Sequence, residues 1–244
     1  MNVQYITSMD TKYYNHIGKA MLESFTTHFR KQKINLYNEN GFIPGVKRIN
    51  NMGWDLGPEY KNFVRRWNHN KKIVTFAKKA FSIIHAMNNI ECDRLVWLDA
   101  DSILTLHIHP QLINFMCPDD TLSAHFKVRH LKNEQVYTSC ETGFFILNTN
   151  HKNFNDFKQT YTNIYVNDEN KNLRRFYDGE VYGETVMRLE DKNVKMQDLN
   201  PGNHKTPISR SVLSPYFQHL KAGLKDRVTN EILEERYLKT TDEV

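Results

Sequence analysis

The sequence predicts an α/β protein with one mostly parallel, Rossmann-like sheet, and two of its segments carry that prediction. The β-type run at residues 3–7 leads into a stretch, from about 12 to 29, whose apolar residues recur at helical spacing. An amphipathic helix pattern at 76–87 then precedes an apolar strand at 94–98. Strands that alternate with helices indicate βαβ units. With 244 residues the chain has the length of one domain, which we expect over residues 1–244.

The remaining segments are assigned from strand alternation, helical spacing and loop composition. Residues 41–58, rich in Gly, Asn and Pro, predict a long loop. The charged segment at about 227–244 predicts a peripheral helical tail. Further strands are predicted at residues 34–37, 121–126 and 142–148, and further helices at 110–116, 154–165 and 181–189.

The apolar strand at 94–98 carries the most informative motif. Its hydrophobic residues occupy both faces, which is typical of a central strand covered by helices on both sides. Asp99 and Asp101 follow it directly, at the strand end where open α/β sheets bind ligands. Two carboxylates at this spacing can share one hard divalent cation. Such a cation can neutralise the charge that develops on a leaving diphosphate.

Positive charge is concentrated in the N-terminal third. The chain has 33 Lys and Arg against 28 Asp and Glu, a formal net charge of +5. Residues 1–90 hold 14 of the basic residues and only 5 of the acidic ones. Basic clusters at 30–33, 47–48, 65–66, 71–72 and 78–79 suit phosphates, either of a nucleotide or of a nucleic acid. For most of these residues, a solvated surface is the simpler interpretation.

The cysteines and the N-terminus suggest a compartment. Cys92, Cys117 and Cys140 lack the close spacing of zinc or redox motifs, which predicts reduced and mostly buried thiols. The N-terminus lacks the basic and apolar regions of a signal peptide, and no apolar run reaches the ~18 residues of a membrane span. We therefore expect a cytoplasmic protein, in the host cytoplasm if the source is viral.

Four segments together resemble the GT-A glycosyltransferases, in particular small GT8-related members from phages and bacteria. The resemblance covers most of residues 3–225. It implies a GT-A fold and transfer of a sugar from a nucleoside-diphosphate sugar, with a UDP-sugar as the first expectation, to a hydroxyl of an acceptor glycan. The four segments are Tyr5-Ile6-Thr7-Ser8-Met9-Asp10 with Tyr14, Phe76-Ala77-Lys78-Lys79-Ala80-Phe81, Trp97-Leu98-Asp99-Ala100-Asp101, and Glu141-Thr142-Gly143-Phe144-Phe145-Ile146-Leu147-Asn148 with Tyr177-Asp178-Gly179.

The resemblance also implies a metal centre. Asp99 and Asp101 would bind Mn²⁺ or Mg²⁺, and Asp99 would also meet the donor diphosphate. In GT8 enzymes a third ligand is the histidine of an H-x-x-G-x-x-K-P-W motif. His219 begins the comparable segment here, but its spacing to glycine is one residue longer and Pro-Trp is absent. His219 is thus a candidate ligand, with an ordinary histidine as the alternative, and Lys225 is a candidate phosphate contact.

Further residues are implied around the donor and the acceptor. Thr7, Asp10 and Lys79 would lie near the nucleotide sugar. If the reaction inverts the sugar, the acceptor hydroxyl needs a carboxylate base, and Asp178 and Glu141 are the candidates. Asp178 precedes a predicted helix, so the alternative is a helix N-cap. Glu141 has the alternative of an ion pair on a loop.

Other functions remain open at this point. Phosphohydrolases of the haloacid dehalogenase type also place D-x-D at a strand end, but usually on the first strand, whereas about 90 residues of α/β pattern precede Asp99. A nucleic-acid-binding module would use the basic N-terminal third. Nucleic-acid binding and glycosyl transfer would combine in a transferase that glycosylates a hydroxymethylated base of phage DNA after flipping it from the duplex.

Overall fold

The computed structural model describes residues 1–41, 44–132, 135–169, 173, 177–204 and 206–220. The strands are β1 (Val3–Met9), β2 (Ile34–Asn38), β3 (Ile49–Gly53), β4 (Arg94–Leu98), β5 (Ser102–Leu104), β6 (Ser123–Lys132), β7 (Gln135–Asn148), β8 (Gln197–Asp198) and β9 (Phe217–His219). The helices are α1 (Thr11–Tyr13), which continues through a π-helical turn (Tyr14–Gly18) into α2 (Lys19–His28), and then α3 (Gly57–Trp67), α4 (Lys71–Asn89), α5 (Pro110–Met116), α6 (Phe154–Val166) and α7 (Asp178–Glu190).

The structure confirms the predicted fold class. Seven strands form one sheet in the order β3-β2-β1-β4-β7-β6-β8. The first four run parallel, while β7 is antiparallel to both of its neighbours, β4 and β6. The short strands β5 and β9 pair separately, with Ser102 opposite His219. This second pairing carries His219 to the strand that directly follows the Asp99-Ala100-Asp101 step.

Both faces of the sheet are buried, as the apolar strand at 94–98 predicts. In β4, Val96 and Leu98 join one hydrophobic cluster, which also contains residues of α2. Leu95 and Trp97 join the other cluster, which contains residues of α3, α4, α6 and α7. Residues that alternate between two cores fix the strand register, since a shift by one residue would exchange every side chain between the two faces. The carboxylates after β4 are therefore held at a fixed place on the sheet edge.

Three predicted boundaries were wrong. The predicted loop at 41–58 contains β3 and the first residues of α3. β3 reads Ile-Asn-Asn-Met-Gly at the sheet edge, so it shows no apolar alternation that would have revealed it. The strands predicted at 121–126 and 142–148 are the ends of a longer hairpin, β6 and β7. The predicted tail at 227–244 lies outside the described residues.

The helices and cysteines add two observations. Within the described ranges, no helix is long and apolar enough to cross a membrane. Cys92, Cys117 and Cys140 are all free, and the last two are buried.

Candidate active site

A cleft lies at the edge of the sheet where the parallel strands end. Its volume of 400 Å³ falls within the range of small-molecule sites. Because β1, β2 and β4 run parallel, the polar residues that follow them meet at this carboxyl edge. The side chains that line the cleft include Asp10, Tyr13, Glu39, Phe76, Lys78, Lys79, Trp97, Asp99, Asp101, Glu141, Thr142 and Asp178.

Asp99 and Asp101 line this cleft, and His219, which lines a neighbouring cavity, contacts both of them. Nε2 of His219 lies 3.1 Å from Oδ1 of Asp101 and 3.8 Å from Oδ2 of Asp99. The second oxygen of each carboxylate is engaged elsewhere: Trp97 Nε1 donates to Oδ1 of Asp99 at 2.7 Å, and Tyr13 OH donates to Oδ2 of Asp101 at 2.9 Å. Each aspartate is therefore oriented so that its other oxygen faces the imidazole.

Gly143 provides the room for His219. A Cβ atom on residue 143 would lie 2.6 Å from Cε1 and 2.8 Å from Nδ1 of the His219 ring. Real Cβ atoms do not approach other atoms so closely. The carbonyl of Gly143 also accepts a hydrogen bond from the backbone N–H of Asp99, at 2.9 Å. Gly143 thus contacts both the ring of His219 and the backbone of Asp99, and it helps to bring the two residues together.

The donor set of the triad fits a divalent cation. Each of Asp99, Asp101 and His219 offers one ligand atom, and these atoms lie within 4.8 Å of one another. Carboxylate oxygens with one imidazole nitrogen suit Mn²⁺, and the oxygens alone suit Mg²⁺. Glu141 and Asp178 bring the carboxylates around the cleft base to four. Because so many acids lie close together, a cation would relieve their mutual repulsion.

Lys79 is the cation that the protein itself places among these carboxylates. Its Nζ lies 2.6 Å from Oδ1 of Asp99 and 2.9 Å from Oδ2 of Asp178, and it donates to the carbonyl of Thr142 at 2.7 Å. It also lies 5.1 Å from the ring centroid of Trp97. Burial lowers the pKa of Lys79, but the two carboxylates outweigh that effect and hold the pKa well above its usual value. The ammonium is therefore charged at neutral pH.

Asp178 is positioned by the close approach of α7 to β7. A Cβ atom on Gly179 would lie 2.3 Å from the carbonyl oxygen of Cys140, and one on Gly183 would lie 3.0 Å from the Ser139 backbone. Asp178 is the first residue of α7, and the N-cap is Tyr177. The Asp178 Oδ2 accepts from the Thr142 hydroxyl at 2.6 Å.

The pKa values of the two aspartates beside Lys79 move in opposite directions. Burial tends to raise the pKa of Asp178, but Lys79 and the Thr142 hydroxyl outweigh it and hold the pKa below its usual value. Burial also raises the pKa of Asp99, and there the nearby Asp101 carboxylate helps burial to prevail over Lys79.

Glu141 lies between the cleft and a second cavity. Its Oε1 is 3.6 Å from Nδ1 of His219 and accepts from the backbone N–H of Gly143 at 3.3 Å. The second cavity has a volume of 320 Å³ and shares Glu141 with the cleft. Its walls include hydroxyls of Thr206 and Ser209 and the apolar side chain of Phe217.

The structure brings most of the predicted site residues together. Asp10 lines the cleft, and its carboxylate caps α1 by accepting from the N–H of Tyr13 at 2.6 Å. Thr7 is not among the residues that line the cleft: its side chain is fully buried in β1. Lys225 lies outside the described residues.

Sequence reasoning missed several residues of the cleft. Tyr13, whose hydroxyl holds Asp101, follows a strand end by one helical turn, which is a weak signal by itself. The motif-based expectation concerned Tyr14, which is instead buried and accepts from the N–H of Gly45 at 3.3 Å. Glu39 was also missed: it forms an ion pair in the cleft wall with Lys78 of the predicted basic cluster, and only its position directly after β2 could have suggested it.

Comparison with known proteins shows the fold. No family model matches the chain, and no curated protein matches its sequence. The galactosyltransferase LgtC, solved with donor and acceptor sugar analogues, matches with a TM-score of 0.53 and 13% identity, over 98% of this chain and 94% of its own. The central sheet, the helices on both of its faces and the match to LgtC all indicate the same fold. The chain adopts the GT-A fold.

Two other solved structures have lower scores. A glycosyltransferase involved in glycosylation of the major capsid of PBCV-1 has a TM-score of 0.45 and 14% identity, over 93% of this chain and 100% of its own. The bifunctional glycosyltransferase WbbM has a TM-score of 0.48 and 10% identity over 75% of this chain. This match spans only 37% of the WbbM chain.

Proposed function

We propose that the protein is a divalent-metal-dependent glycosyltransferase that uses a nucleoside-diphosphate sugar. The observation that carries this proposal is the convergence of Asp99, Asp101 and His219, beside Lys79, at the carboxyl edge of a GT-A sheet. A diphosphate needs positive charge around it, and this place combines a cation site with the largely enclosed ammonium of Lys79. LgtC, which shares the fold, was solved with donor and acceptor sugar analogues.

Asp99, Asp101 and His219 would hold the metal. When bound, Mn²⁺ or Mg²⁺ would supply Lewis-acid stabilisation of the charge on the departing nucleoside diphosphate. Trp97 and Tyr13 keep the two carboxylates oriented before any ligand arrives. Because these orienting hydrogen bonds come from the fold, little reorganisation is needed when the donor binds.

Lys78 and Lys79, the eighth and ninth residues of α4, would face the donor. Both line the cleft, and Lys78 is paired with Glu39 at its wall. The largely enclosed Lys79 acts in two ways: it offsets the charge of Asp99 and Asp178, and it fixes their positions relative to each other. Following the resemblance in sequence, a UDP-sugar is the first donor to test.

Glu141 and Asp178 remain the two carboxylates that could accept the acceptor proton. Oδ2 of Asp178 already accepts from Thr142 and pairs with Lys79, which keeps that carboxylate ionised but also occupied. Glu141 borders both the cleft and the second cavity, so it lies between a donor in one and an acceptor in the other. We therefore favour Glu141 as the base and Asp178 as a positioning residue for Lys79.

Neither alternative function gains support from the described residues. A nucleophilic aspartate of the dehalogenase type needs a free carboxylate oxygen, whereas Oδ1 of Asp99 is engaged by Lys79 and Trp97 and Oδ2 faces His219. For transfer to a modified DNA base, the basic residues should surround the cleft. Those at 30–33 and 47–48 instead lie beside the first residues of β2 and β3, at the opposite edge of the sheet.

The test is a thermal-shift screen of nucleoside diphosphates and their sugars, with and without Mn²⁺. Since a ligand that binds the native state raises Tm, a nucleoside diphosphate should raise it by several degrees only when Mn²⁺ is present. The donor so identified is then incubated with candidate glycan acceptors, and release of the nucleoside diphosphate is measured. A set of phosphomonoesters serves as the control for phosphohydrolase activity. Phosphate release from these without any response to nucleotide sugars would overturn the proposal.

A further inference from the structure

Five cations lie together at the amino edge of the sheet, opposite the cleft. Arg30, Lys31 and Lys33 precede β2, and Lys47 and Arg48 precede β3. Because β2 and β3 are parallel neighbours, with Ile34 opposite Ile49, the residues before each strand lie side by side. All five side chains are exposed. We call this group the basic edge.

The basic edge is held in place by hydrogen bonds. The guanidinium of Arg48 donates to the carbonyl of Arg30 at 2.9 Å and also to that of Thr26. The carbonyl of Arg48 accepts from the N–H of Ile34 at 3.3 Å. Arg48 has a φ of 59°, a conformation uncommon for residues other than glycine. These bonds connect the two cationic segments, so the five charges form one surface.

The charge of the basic edge is not offset within the described structure. Across those residues, none of the five cations forms an ion pair with a carboxylate. Asp93, at the start of β4, is engaged instead by the N-terminal amine, at 3.8 Å. The surface therefore presents about five positive charges to its surroundings.

A shallow cavity and an exposed leucine adjoin these charges. The cavity has a volume of 340 Å³ and is lined by His28, Phe29, Arg30, Lys31, Gln32 and His107. Burial lowers the pKa of His28 and of His107, so neither adds charge at neutral pH. Leu106, next to His107, is 49% exposed. Positive charge beside an exposed aliphatic side chain is the combination that favours the interface of a lipid bilayer.

We propose that the basic edge docks the protein on an anionic phospholipid surface. The five cations would attract the headgroups, the cavity would admit a headgroup phosphate, and Leu106 would enter the interfacial region. A single-stranded nucleic acid is less well matched, because the aromatic residue of this surface, Phe29, is fully buried and cannot stack on a base. With the basic edge against lipid, the cleft at the other end of β1 and β4 opens toward water.

Vesicle sedimentation with the full chain tests the proposal. The protein is mixed with phosphatidylcholine vesicles that contain either no phosphatidylserine or about 30% of it, at about 0.1 M salt. Wild-type protein should sediment with the anionic vesicles only, and higher salt should release it. A Lys31→Gln, Lys33→Gln, Lys47→Gln variant should bind at least about tenfold more weakly. Arg48 is left unchanged because it holds the surface together.

Two controls separate a specific surface from net charge. A Lys61→Gln, Arg65→Gln, Lys71→Gln variant removes the same charge from α3 and the start of α4, where all three residues are exposed, and should bind almost like wild type. Leu106→Ser should weaken the part of binding that resists salt. Equal losses in the two triple variants, or no binding to anionic vesicles, would overturn the proposal.

A parallel titration distinguishes the remaining partner class. Fluorescence anisotropy with a duplex DNA at the same salt concentration reports nucleic-acid binding. DNA binding that depends on Lys31, Lys33 and Lys47, without vesicle binding, would assign the basic edge to a nucleic acid instead. None of these measurements uses transferase activity, so the docking proposal can fail without affecting the proposed function, and the reverse also holds.

Discussion

Basic side chains have opposite surroundings at the two ends of the parallel strands. At the carboxyl edge, Lys79 is only 13% exposed and contacts Asp99, Asp178 and the Thr142 carbonyl. At the amino edge, residues such as Lys33 are exposed and form no ion pair within the described structure. Both sets come from the same basic third of the sequence. A loop that precedes a parallel strand and a loop or helix start that follows one belong to opposite ends of the sheet.

The difference teaches that a regional charge count does not locate a site. The excess of basic residues in positions 1–90 suggested that some of their clusters face phosphates, without indicating which ones. Of the basic clusters only Lys78 and Lys79, in the N-terminal half of α4, line the cleft, because a helix that leads back to a parallel strand begins near the carboxyl edge. The paired lysine at the carboxyl edge is expected to matter for catalysis and for stability. The unpaired cations at the amino edge are expected to bind a partner surface reversibly.

The largest effect is expected from the triad at the carboxyl edge. Asp101→Asn keeps the size of the side chain but removes the charge that faces His219. We expect transferase activity to fall by about 1000-fold, which corresponds to about 4 kcal/mol, and the Mn²⁺-dependent Tm shift to disappear. Asp156→Asn, an exposed residue of α6, is the control. Retention of a Mn²⁺-dependent Tm shift in Asp101→Asn would exclude this residue as a ligand.

Lys79 tests whether the carboxyl edge depends on its internal ammonium. Lys79→Met leaves Asp99 and Asp178 without their shared counter-charge, which should reduce the free energy of unfolding by about 3–5 kcal/mol. Lys78→Met removes a more exposed partner of Glu39 and should cost about 1 kcal/mol. Urea denaturation measures both variants. If the two losses are equal, burial among carboxylates is not what distinguishes Lys79.

Gly143 tests the space that the fold reserves for His219. In Gly143→Ala the new methyl group would collide with the imidazole, so the ring must move or the strand must shift, at a cost of about 1–3 kcal/mol. The Mn²⁺-dependent Tm shift should decrease as well. Gly45→Ala is a matched control, since a Cβ there has no atom within 4 Å and should cost less than about 0.5 kcal/mol. An unchanged response to Mn²⁺ in Gly143→Ala would separate His219 from the cation.

His125 provides a contrast to Lys79, because it is a buried basic group without a carboxylate partner among the described residues. It is fully buried in β6, its Nδ1 lies 3.1 Å from the Ser123 hydroxyl, and burial lowers its pKa to about 3. The unfolded chain binds a proton near pH 6.5, so stability is complete above that pH and declines as pH falls toward 3. At pH 5 this one group should cost about 2 kcal/mol relative to neutral pH.

The measurement for His125 is urea unfolding at pH 7.5 and pH 5. His125→Asn removes the titrating ring, so its stability should differ less between the two pH values than that of the wild type does. A difference that is the same in both proteins would show that other groups cause the pH dependence. In that case the contrast between Lys79 and His125 would not show that an acidic partner decides whether an enclosed basic group stays charged.

Much of the fold could be predicted because hydrophobic periodicity records which faces are buried. β4 was predicted with both of its ends, and α4 was predicted over 76–87, since their apolar residues follow the strand and helix periods. The first residues of α4, from Lys71, were missed. β3 could not be predicted, because an exposed edge strand of polar residues carries no such pattern. The hairpin of β6 and β7 was predicted only in part, since residues 127–130 of β6 are not buried and show no apolar alternation.

The site could be predicted only where one segment contains the signal. Asp99 and Asp101 are adjacent to an apolar strand, so their place at the sheet edge follows from local sequence. The hydrogen bond from Tyr13 to Asp101 joins residues 88 positions apart, and the sequence holds no trace of that pairing. His219 reaches the triad through β9, a strand of three residues that pairs with β5. Such contacts depend on long-range packing that one sequence does not reveal.

The smallest effect is expected at the amino edge. Lys31→Gln, Lys33→Gln and Lys47→Gln together remove three exposed cations with no ion-pair partner within the described structure, so folding loses no favourable contact. The free energy of unfolding should change by less than about 0.5 kcal/mol, with any gain greatest at low salt, where repulsion between the cations is least screened. Activity toward a water-soluble acceptor should stay within about twofold of wild type, since none of the three lysines lines the cleft. Urea denaturation at two salt concentrations, together with nucleoside diphosphate release, provides the measurement. A loss comparable to that of Lys79→Met would mean that the two edges are coupled through the strands, and the contrast between them would fail.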